Sequence, residues 1–161
     1  MEGVRILGID PGSRYMGHAI VEKIGHNRLQ YIHASRLVLG NAPLPERLVK
    51  IDRFLDEYIE TYHPVALSIE GMFHQKFADA AIKLGHARGV AICACARKGL
   101  PVFEYAPTDV KMSITSYGMA EKSQVAAMVK LILGVQENWP VDASDALALA
   151  ICHANRCSTL P

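Results

Sequence analysis

The sequence predicts an α/β protein with a mixed five-stranded sheet flanked by helices. Three observations lead to this prediction. The first three apolar segments are joined by short turns, which favours antiparallel pairing. The fourth is reached through an amphipathic helix, which favours a crossover and a parallel neighbour. The chain has 161 residues, half of them apolar, which suits one domain, residues 1–161, with one substantial core.

Short apolar segments bounded by turn residues are the predicted strands. They span residues 4–10, 15–23, 29–39, 65–70 and 101–105. The turn Gly25-His26-Asn27-Arg28 separates the second strand from the third and supports a hairpin there. The sheet is therefore expected to begin with antiparallel strands.

The spacing of apolar residues also predicts the helices. They span about residues 45–62, 76–98, 108–117, 120–133 and 141–155. Pro45 suits the first turn of the first helix, and His63-Pro64 ends it. The second helix is rich in Gly, Ala and Cys from Gly85 to Ala96 and is apolar on nearly all sides. We expect one of its faces to pack on the sheet and another on a second subunit, with a tight intramolecular contact as the alternative.

Composition excludes some classes of protein. The sequence contains no run of about 18 apolar residues, so no transmembrane helix is predicted. The N-terminus lacks the layout of a signal peptide. A cytoplasmic location is therefore expected. The four cysteines form no zinc pattern with the seven histidines and are expected to be reduced. The net charge of +1 neither requires nor excludes a nucleic-acid partner, because local patches decide such binding.

Four acids stand at the ends of apolar elements. Asp10 and Glu70 each end a predicted strand, and acids at the carboxyl ends of adjacent parallel strands would lie at the same edge of the sheet. Asp142 and Asp145 share one face of the last helix. Each acid alone has an ordinary explanation, as a turn residue, a solvated strand end, a helix N-cap or a first-turn acid.

Together, these four acids indicate a metal site. Crowded carboxylates raise one another's pKa unless cations lie between them. Oxygen ligands of this kind suit Mg²⁺ or Mn²⁺, and two such ions about 4 Å apart can activate water in phosphodiester cleavage. We therefore expect Mg²⁺, for which Mn²⁺ can substitute, with two ions per subunit.

Several segments of the chain carry a resemblance to a known family. They are Gly8-Ile9-Asp10-Pro11-Gly12-Ser13-Arg14, Ile69-Glu70 with Phe73, Lys83-Leu84-Gly85-His86-Ala87-Arg88-Gly89-Val90, Pro101-Val102-Phe103-Glu104-Tyr105, Ala120-Glu121-Lys122-Ser123-Gln124-Val125 and Asp142-Ala143-Ser144-Asp145-Ala146. In their order and spacing the sequence resembles the RuvC-type Holliday-junction resolvases, the crossover junction endodeoxyribonucleases. The resemblance covers nearly the whole chain.

The resemblance implies a ribonuclease H-like fold and a homodimer that resolves a four-way DNA junction by paired symmetric nicks, leaving 5′-phosphate ends. A branch-migration motor complex is a candidate partner. The residues that match the family's metal-binding catalytic acids are Asp10, Glu70, Asp142 and Asp145. Phe73 matches its junction-probing aromatic residue, and Lys111 and Lys122 match basic residues near the scissile phosphate.

Other residues are candidates for contact with the DNA. The basic residues expected near the phosphate backbone, which position DNA without reading its sequence, are Lys76, Lys83, Arg88, Lys111 and Lys122. Phe73 follows Glu70 closely and could stack on an unpaired base or enter a base step, with a core position under the loop as the alternative. For Lys122, which the resemblance places at the catalytic site, the alternative is a solvated lysine in the first turn of a helix.

The chain departs from the family pattern at several positions. They are Gly71, Phe77, Ala80, His86 and Ser116, where a longer polar residue, Asn, Ser, Gln and Gly respectively are common. The four acids are unaffected. The departures therefore concern DNA contact, affinity and the preferred cutting sequence.

Three other functions are alternatives to this one. An actin- or hexokinase-like ATPase also begins with a strand and a Gly-x-Asp turn, but it needs two such domains, for which 161 residues are too few. A nuclease of the same fold could act on RNA or an RNA–DNA hybrid, and sequence does not weigh contacts with the 2′-hydroxyl. A catalytically silent junction-binding scaffold would have no need for four crowded acids.

Overall fold

The computed structural model describes residues 3–71 and 78–157, in which the chain forms five strands and five helices. The strands are β1 (Val4–Asp10), β2 (Tyr15–Ile24), β3 (Arg28–Val38), β4 (Ala66–Glu70) and β5 (Val102–Tyr105). The helices are α1 (Leu44–Tyr62), α2 (Ala78–Arg97), α3 (Pro107–Thr115), α4 (Lys122–Leu133) and α5 (Val141–Arg156). Every predicted element is present, and the ends that lie in the described residues differ from the prediction by no more than two residues. The predicted start of the second helix at about residue 76 lies outside the described residues.

The strands form a mixed sheet in the order β3-β2-β1-β4-β5. β2 pairs antiparallel with both β1 and β3, whereas β4 pairs parallel with both β1 and β5. The predicted antiparallel start and the predicted parallel neighbour beyond a helical crossover are both confirmed. The carboxyl ends of β1 and β4 therefore lie side by side, with Ile9 opposite Ile69.

Alternation along β1 sends its side chains into two cores on opposite faces of the sheet. Ile6 belongs to a core formed with α3, α4 and α5, whereas Leu7 and Ile9 belong to a core formed with α1 and α2. Asp10 has the same parity as Ile6, so its side chain lies on the face that α5 covers. Glu70 lies on that face too, because Ser68, two residues earlier, donates its hydroxyl hydrogen to a carbonyl of α5 at 2.7 Å.

Two glycines allow α5 to lie close to the sheet. A Cβ atom at Gly8 in β1 would overlap the carbonyl oxygen of Ala146, and one at Gly17 in β2 would overlap that of Asp142. The backbone of α5 thus crosses the first two strands in space that a side chain would otherwise fill. The first turn of α5 is thereby placed beside the end of β1.

Helix α2 has one buried face and one exposed face. Ala87, Ala91 and Cys95 are buried in the core with α1 and the sheet, which confirms the predicted packing of this face. On the other face Ile82 is 57% exposed, and a Cβ atom at Gly89 would meet no described atom within 4 Å. Within the described residues, no intramolecular partner covers this second face.

Two further findings concern the whole of the described chain. None of the helices in residues 3–71 and 78–157 is long and apolar enough to cross a lipid bilayer. The four cysteines carry free thiols.

Candidate active site and metal-binding cleft

Asp10 and Glu70 lie side by side at one edge of the sheet. Each is the last residue of its strand, and the two strands are parallel neighbours. The predicted placement of both acids at the same edge is therefore confirmed. In open α/β sheets ligands bind at this edge, outside the carboxyl ends of the strands.

Helix α5 brings the other two acids to the same place. Asp142 and Asp145, near its N-terminus, line a cleft of about 430 Å³ together with Asp10 and Glu70. The other residues that line this cleft are Pro107, Val110, Lys111, Lys122, Val125, Val141, Ala148 and Leu149. The structure thus collects all four predicted acids in one cleft, with two of the predicted lysines.

Burial and crowding disfavour the ionised form of Asp10. Burial is the largest cause, and the carboxylates of Asp145, Glu70 and Asp142 add to it, so the pKa of Asp10 is raised from 3.8 to about 8. The pKa of Glu70 is also raised, by burial first and by Asp145 second. A cation between these carboxylates would favour their ionised forms and lower both pKa values.

Two basic side chains partner the acids of α5. Nζ of Lys122 donates a hydrogen bond to Oδ2 of Asp145 at 3.1 Å, and the Asp145 carboxylate is the first cause of a raised pKa at Lys122. Nη1 of Arg36 lies 3.7 Å from Oδ2 of Asp142. The sequence predicts Lys122 in this site but misses Arg36, because the register that brings β3 to this cleft leaves no mark in local spacing.

The chemistry of the four carboxylates fits a divalent cation. They are oxygen donors of the kind that Mg²⁺ and Mn²⁺ prefer. Burial first, and the neighbouring carboxylates second, disfavour the ionised form of Asp10, which a cation in the cleft would favour. Although the four acids line one cleft, no three His, Cys, Asp or Glu side chains in the described residues are already arranged so that they could hold a metal ion. Lys122 and Arg36 each hold one acid of α5, so a bound cation would compete with these ion pairs.

Arg88 supports the end of β4 from helix α2. Its Nε donates a hydrogen bond to the carbonyl oxygen of Glu70 at 3.1 Å, and its Nη2 lies 2.9 Å from Oε2 of Glu104. Its side chain is only 12% exposed. The sequence predicts a contact with DNA phosphate for Arg88, but a guanidinium buried in this way is not accessible to a phosphate. Its placement argues for a structural role that holds Glu70.

The other predicted contacts with DNA are placed in different ways. Lys83 is exposed on α2, and Lys111 in α3 lines the cleft. Phe73 and Lys76 lie outside the described residues, as does the departure at Phe77. The predicted roles of Phe73 and Lys76 therefore stay predictions.

The departure from the family pattern at Ser116 involves a special backbone conformation. Ser116 ends α3 with a φ of 59°, in the left-handed region that favours glycine. A glycine, which the family resemblance leads us to expect at this position, would adopt this conformation without a steric cost. Ala80 and His86, two other departures, are exposed on α2, so they change the surface and leave the core intact.

A family of DNA-cutting enzymes matches nearly the whole chain. The family model described as crossover junction endodeoxyribonuclease RuvC matches residues 6–153. A protein of that name from Geotalea uraniireducens is 46% identical over 153 residues, which cover 94% of this chain and 89% of the relative. Another, from Syntrophotalea carbinolica, is 45% identical over 152 residues, which cover 94% of each chain.

Solved structures show the same similarity. The structure of T. thermophilus RuvC in complex with Holliday junction substrate matches with a TM-score of 0.85 at 30% identity, covering 94% of this chain and 93% of that one. The yeast mitochondrial Holliday junction resolvase Ydc2 matches with a TM-score of 0.69 at 10% identity, covering 94% of this chain and 78% of that one. At that identity, the second match shows a common fold.

Proposed function

The chain belongs to the family of the crossover junction endodeoxyribonuclease RuvC, and from this premise we propose how its cleft acts on DNA. It is an endonuclease with the ribonuclease H-like fold that the sequence predicts. It resolves Holliday junctions, which are four-way DNA junctions, by paired symmetric nicks that leave 5′-phosphate ends. The RNA nuclease, the ATP-binding domain and the silent scaffold that the sequence left open are not favoured.

The convergence of four acids from β1, β4 and α5 on one cleft is the observation that carries this proposal. Asp10, Glu70, Asp142 and Asp145 would hold two divalent cations, Mg²⁺ or Mn²⁺, which when bound neutralise charge on the phosphate and activate water for in-line attack. A proton competes for Asp10, because the pKa of this carboxyl is about 8. The affinity of the cleft for a cation should therefore increase as the pH rises toward 8.

Lysines of α3 and α4 position the phosphate that is cut. The side chain of Lys122 is 75% exposed while it contacts Asp145, so its ammonium can turn to a phosphate oxygen when DNA enters. Lys111 lines the same cleft and adds a second positive charge. Charge-assisted hydrogen bonds from such groups hold a phosphate more strongly than neutral ones do.

A second copy of the chain completes the enzyme. A four-way junction presents two strands to cut, and two sites related by a two-fold axis suit that symmetry. The exposed face of α2 supports this partner, because Ile82 is exposed there and Gly85 and Gly89 leave room for another helix to approach closely. We therefore propose that the two copies contact each other through α2.

The remaining parts of the proposal come from the sequence alone. Phe73 stacks on a base at the junction, and Lys76 and Lys83 contact phosphates. A branch-migration motor complex as a partner, a cytoplasmic location and a single domain for residues 1–161 also stay predictions.

Cleavage of synthetic substrates tests the proposed function. A labelled four-way junction, a linear duplex and an RNA–DNA hybrid are each incubated with the wild type in Mg²⁺ and in EDTA. We expect paired nicks in the junction alone and only with Mg²⁺. The variant Asp10→Asn should lose this activity, whereas Glu57→Gln, at an exposed acid of α1, should keep it.

Two outcomes would contradict the proposal. Cutting of the hybrid with an intact junction would assign an RNA-containing substrate to the cleft. Equal nicking of the junction in EDTA would overturn the role of the four acids as ligands of a cation.

A further inference from the structure

The register of the sheet places Arg36 in the same cross-strand row as Asp10. Asp10 pairs with Gly17, and Gly17 pairs with Arg36. Residues in one such row point to the same face of a sheet, so Asp10 and Arg36 both lie on the face that α5 covers. Gly17 between them has no side chain, and the first turn of α5 occupies the space that one would need.

Arg36 therefore borders the carboxylate cleft from β3. Its Nη1 lies 3.7 Å from Oδ2 of Asp142, while Lys122 on α4 lies 3.1 Å from Oδ2 of Asp145. Each acid of α5 thus has a basic partner from a different element of the fold. Lys122 lies in one of the segments that carry the family resemblance, whereas Arg36 lies outside all of them.

An aromatic ring supports the guanidinium of Arg36. The centre of the Tyr15 ring lies 4.2 Å from Cζ of Arg36, which is a cation–π distance. Tyr15 is two residues before Gly17 in β2, so the ring and the guanidinium are diagonal neighbours on one face of the sheet. Tyr15 is 40% exposed and the Arg36 side chain 39% exposed, so the pair lies at the surface beside the cleft.

We propose that Arg36, supported by the ring of Tyr15, contacts a DNA phosphate on the β3 side of the cleft. This inference rests on the proposed nuclease function, because it requires DNA to lie across the four acids. Lys111 and Lys122 contact the DNA from α3 and α4. Arg36 adds a contact with the DNA from β3, at the other end of the cross-strand row that runs from Asp10 through Gly17.

The chemistry of the guanidinium favours a phosphate as its partner. Its several N–H donors form a planar fork that matches phosphate oxygens. In the described residues, Arg36 uses this fork for one ion pair, with Asp142, at a distance longer than a hydrogen bond. A cation held by Asp142 would weaken that ion pair, which leaves the guanidinium available to DNA while Tyr15 still supports it.

The dependence of junction binding on salt tests this inference. Dissociation constants of the wild type and of Arg36→Gln are measured over a fourfold range of salt, with Ca²⁺ in place of Mg²⁺. Each phosphate contact adds about 0.9 to the slope of log affinity against log salt. We expect Arg36→Gln to bind more weakly at low salt and to have a slope smaller by about 0.9. Over the fourfold range of salt, the factor by which Arg36→Gln loses affinity should then be about threefold smaller than the factor for the wild type.

Three further variants control this comparison. Arg28→Gln changes an exposed arginine at the other end of β3 and should leave the slope unchanged. Arg36→Lys keeps the charge and should keep most of the slope, whereas Tyr15→Leu removes the ring and should weaken binding less than Arg36→Gln does. A slope for Arg36→Gln equal to that of Arg28→Gln would overturn the proposal. Calorimetry then compares Mn²⁺ binding by the wild type and by Arg36→Gln without DNA. A changed affinity for Mn²⁺ would show that Arg36 positions Asp142 instead.

Failure of this inference can be told apart from failure of the proposed function. If the wild type nicks the junction while the slope of Arg36→Gln is unchanged, only the role of Arg36 is wrong. If the wild type binds the hybrid and not the junction, the slopes are compared on the hybrid, and a smaller slope there supports the phosphate contact. If the wild type binds neither nucleic acid, both proposals are wrong.

Discussion

Two clusters of titratable residues lie on opposite faces of the same sheet. The carboxylate cleft, with Asp10 at its centre, is on the α5 face. The histidine cluster, formed by His18, His33, Phe54, Tyr58 and Tyr62, is on the α1 face. Burial disfavours the charged form in both, so the pKa of Asp10 is raised to about 8 and that of His18 is lowered to about 3.

The two clusters differ in what surrounds the titratable group. His18 is 3% exposed, and its ring centre lies 4.5 Å from that of Phe54 and 4.7 Å from that of Tyr58, so it is enclosed by aromatic rings. Asp10 is crowded by three other acids in an open cleft with Lys122 at its side. A shifted pKa alone therefore does not indicate a functional site. It does so where like charges share an opening that a cation can enter.

Replacing Asp10 by Asn should have the largest effect of these substitutions on the cleavage rate. It should also change the rate and the stability of the fold in opposite directions. Loss of one ligand should cost several kcal/mol of transition-state stabilisation, on the order of a thousandfold in cleavage rate. An acid whose pKa is raised from 3.8 to about 8 destabilises the folded state increasingly as the pH rises between these values. The metal-free variant should therefore be more stable than the wild type at pH 8.

Two measurements check this prediction on Asp10. Single-turnover cleavage of the junction gives the rate, and urea unfolding in EDTA gives the free energy of unfolding. A variant that loses stability together with activity would show that Asp10 has a structural role, as His18 does on the other face.

Replacing Arg88 by Gln should have the next largest effect. It removes the hydrogen bond to the carbonyl of Glu70 and the ion pair with Glu104, which should lower the free energy of unfolding by about 2 kcal/mol. Cleavage should fall because Glu70 is less well placed, with an unchanged salt slope of DNA binding. Lys83→Gln, at an exposed residue of the same helix, is the control in urea unfolding. A smaller salt slope with full stability would instead support the DNA contact that the sequence predicts.

A fall in pH should destabilise the folded state through the histidine cluster. The same fall in pH should stabilise the folded state through Asp10 in the carboxylate cleft. A histidine whose pKa is lowered from 6.5 to about 3 stabilises the folded state above pH 6.5, and this contribution is lost as the pH falls toward 3. Between pH 6.5 and about pH 5, His18 should account for a loss of about 2 kcal/mol in the free energy of unfolding.

The variant His18→Leu, of similar volume, checks this prediction. Urea unfolding at both pH values should show a smaller loss for the variant, and cleavage of the junction at neutral pH should be unchanged. An equal loss in the variant and the wild type would assign the acid sensitivity to another group. His153, which is buried on the α5 face with its pKa lowered to about 4, is then the next residue to replace.

Replacing Ser116 by Gly should have the smallest effect and a stabilising sign. The left-handed conformation costs a non-glycine residue about 1–2 kcal/mol, which the substitution by glycine removes. Part of this gain in stability is offset by the larger chain entropy of glycine in the unfolded state. We expect thermal unfolding to show a gain of about 0.5–1 kcal/mol. Ser113→Gly, inside α3, should instead destabilise the protein by about 0.5 kcal/mol. No gain at Ser116 would mean that this end of the helix carries no strain.

Local patterns in the sequence predict the elements of the fold and point to four acids as the candidate site. Alternating or helically spaced apolar residues are local signals, as are the turn residue Gly25 and Pro45 in the first turn of a helix. The ends of the elements that lie in the described residues could therefore be predicted to within two residues. The crossover between β3 and β4 also indicated the parallel pairing that brings Asp10 and Glu70 together. Periodicity and chain connectivity are properties of neighbouring residues, which is why they could be predicted without the structure.

The positions of the basic residues around the acids depend on the tertiary fold. Arg36 reaches Asp142 because two strand pairings in register, through Gly17, carry it to the cleft. The sequence predicts a DNA contact for Arg88, whereas the packing of α2 buries its side chain against Glu70. The raised pKa of Asp10 likewise depends on acids from two other elements. Burial and electrostatic interactions depend on residues that are close in space and distant in the chain, and local spacing carries no record of them.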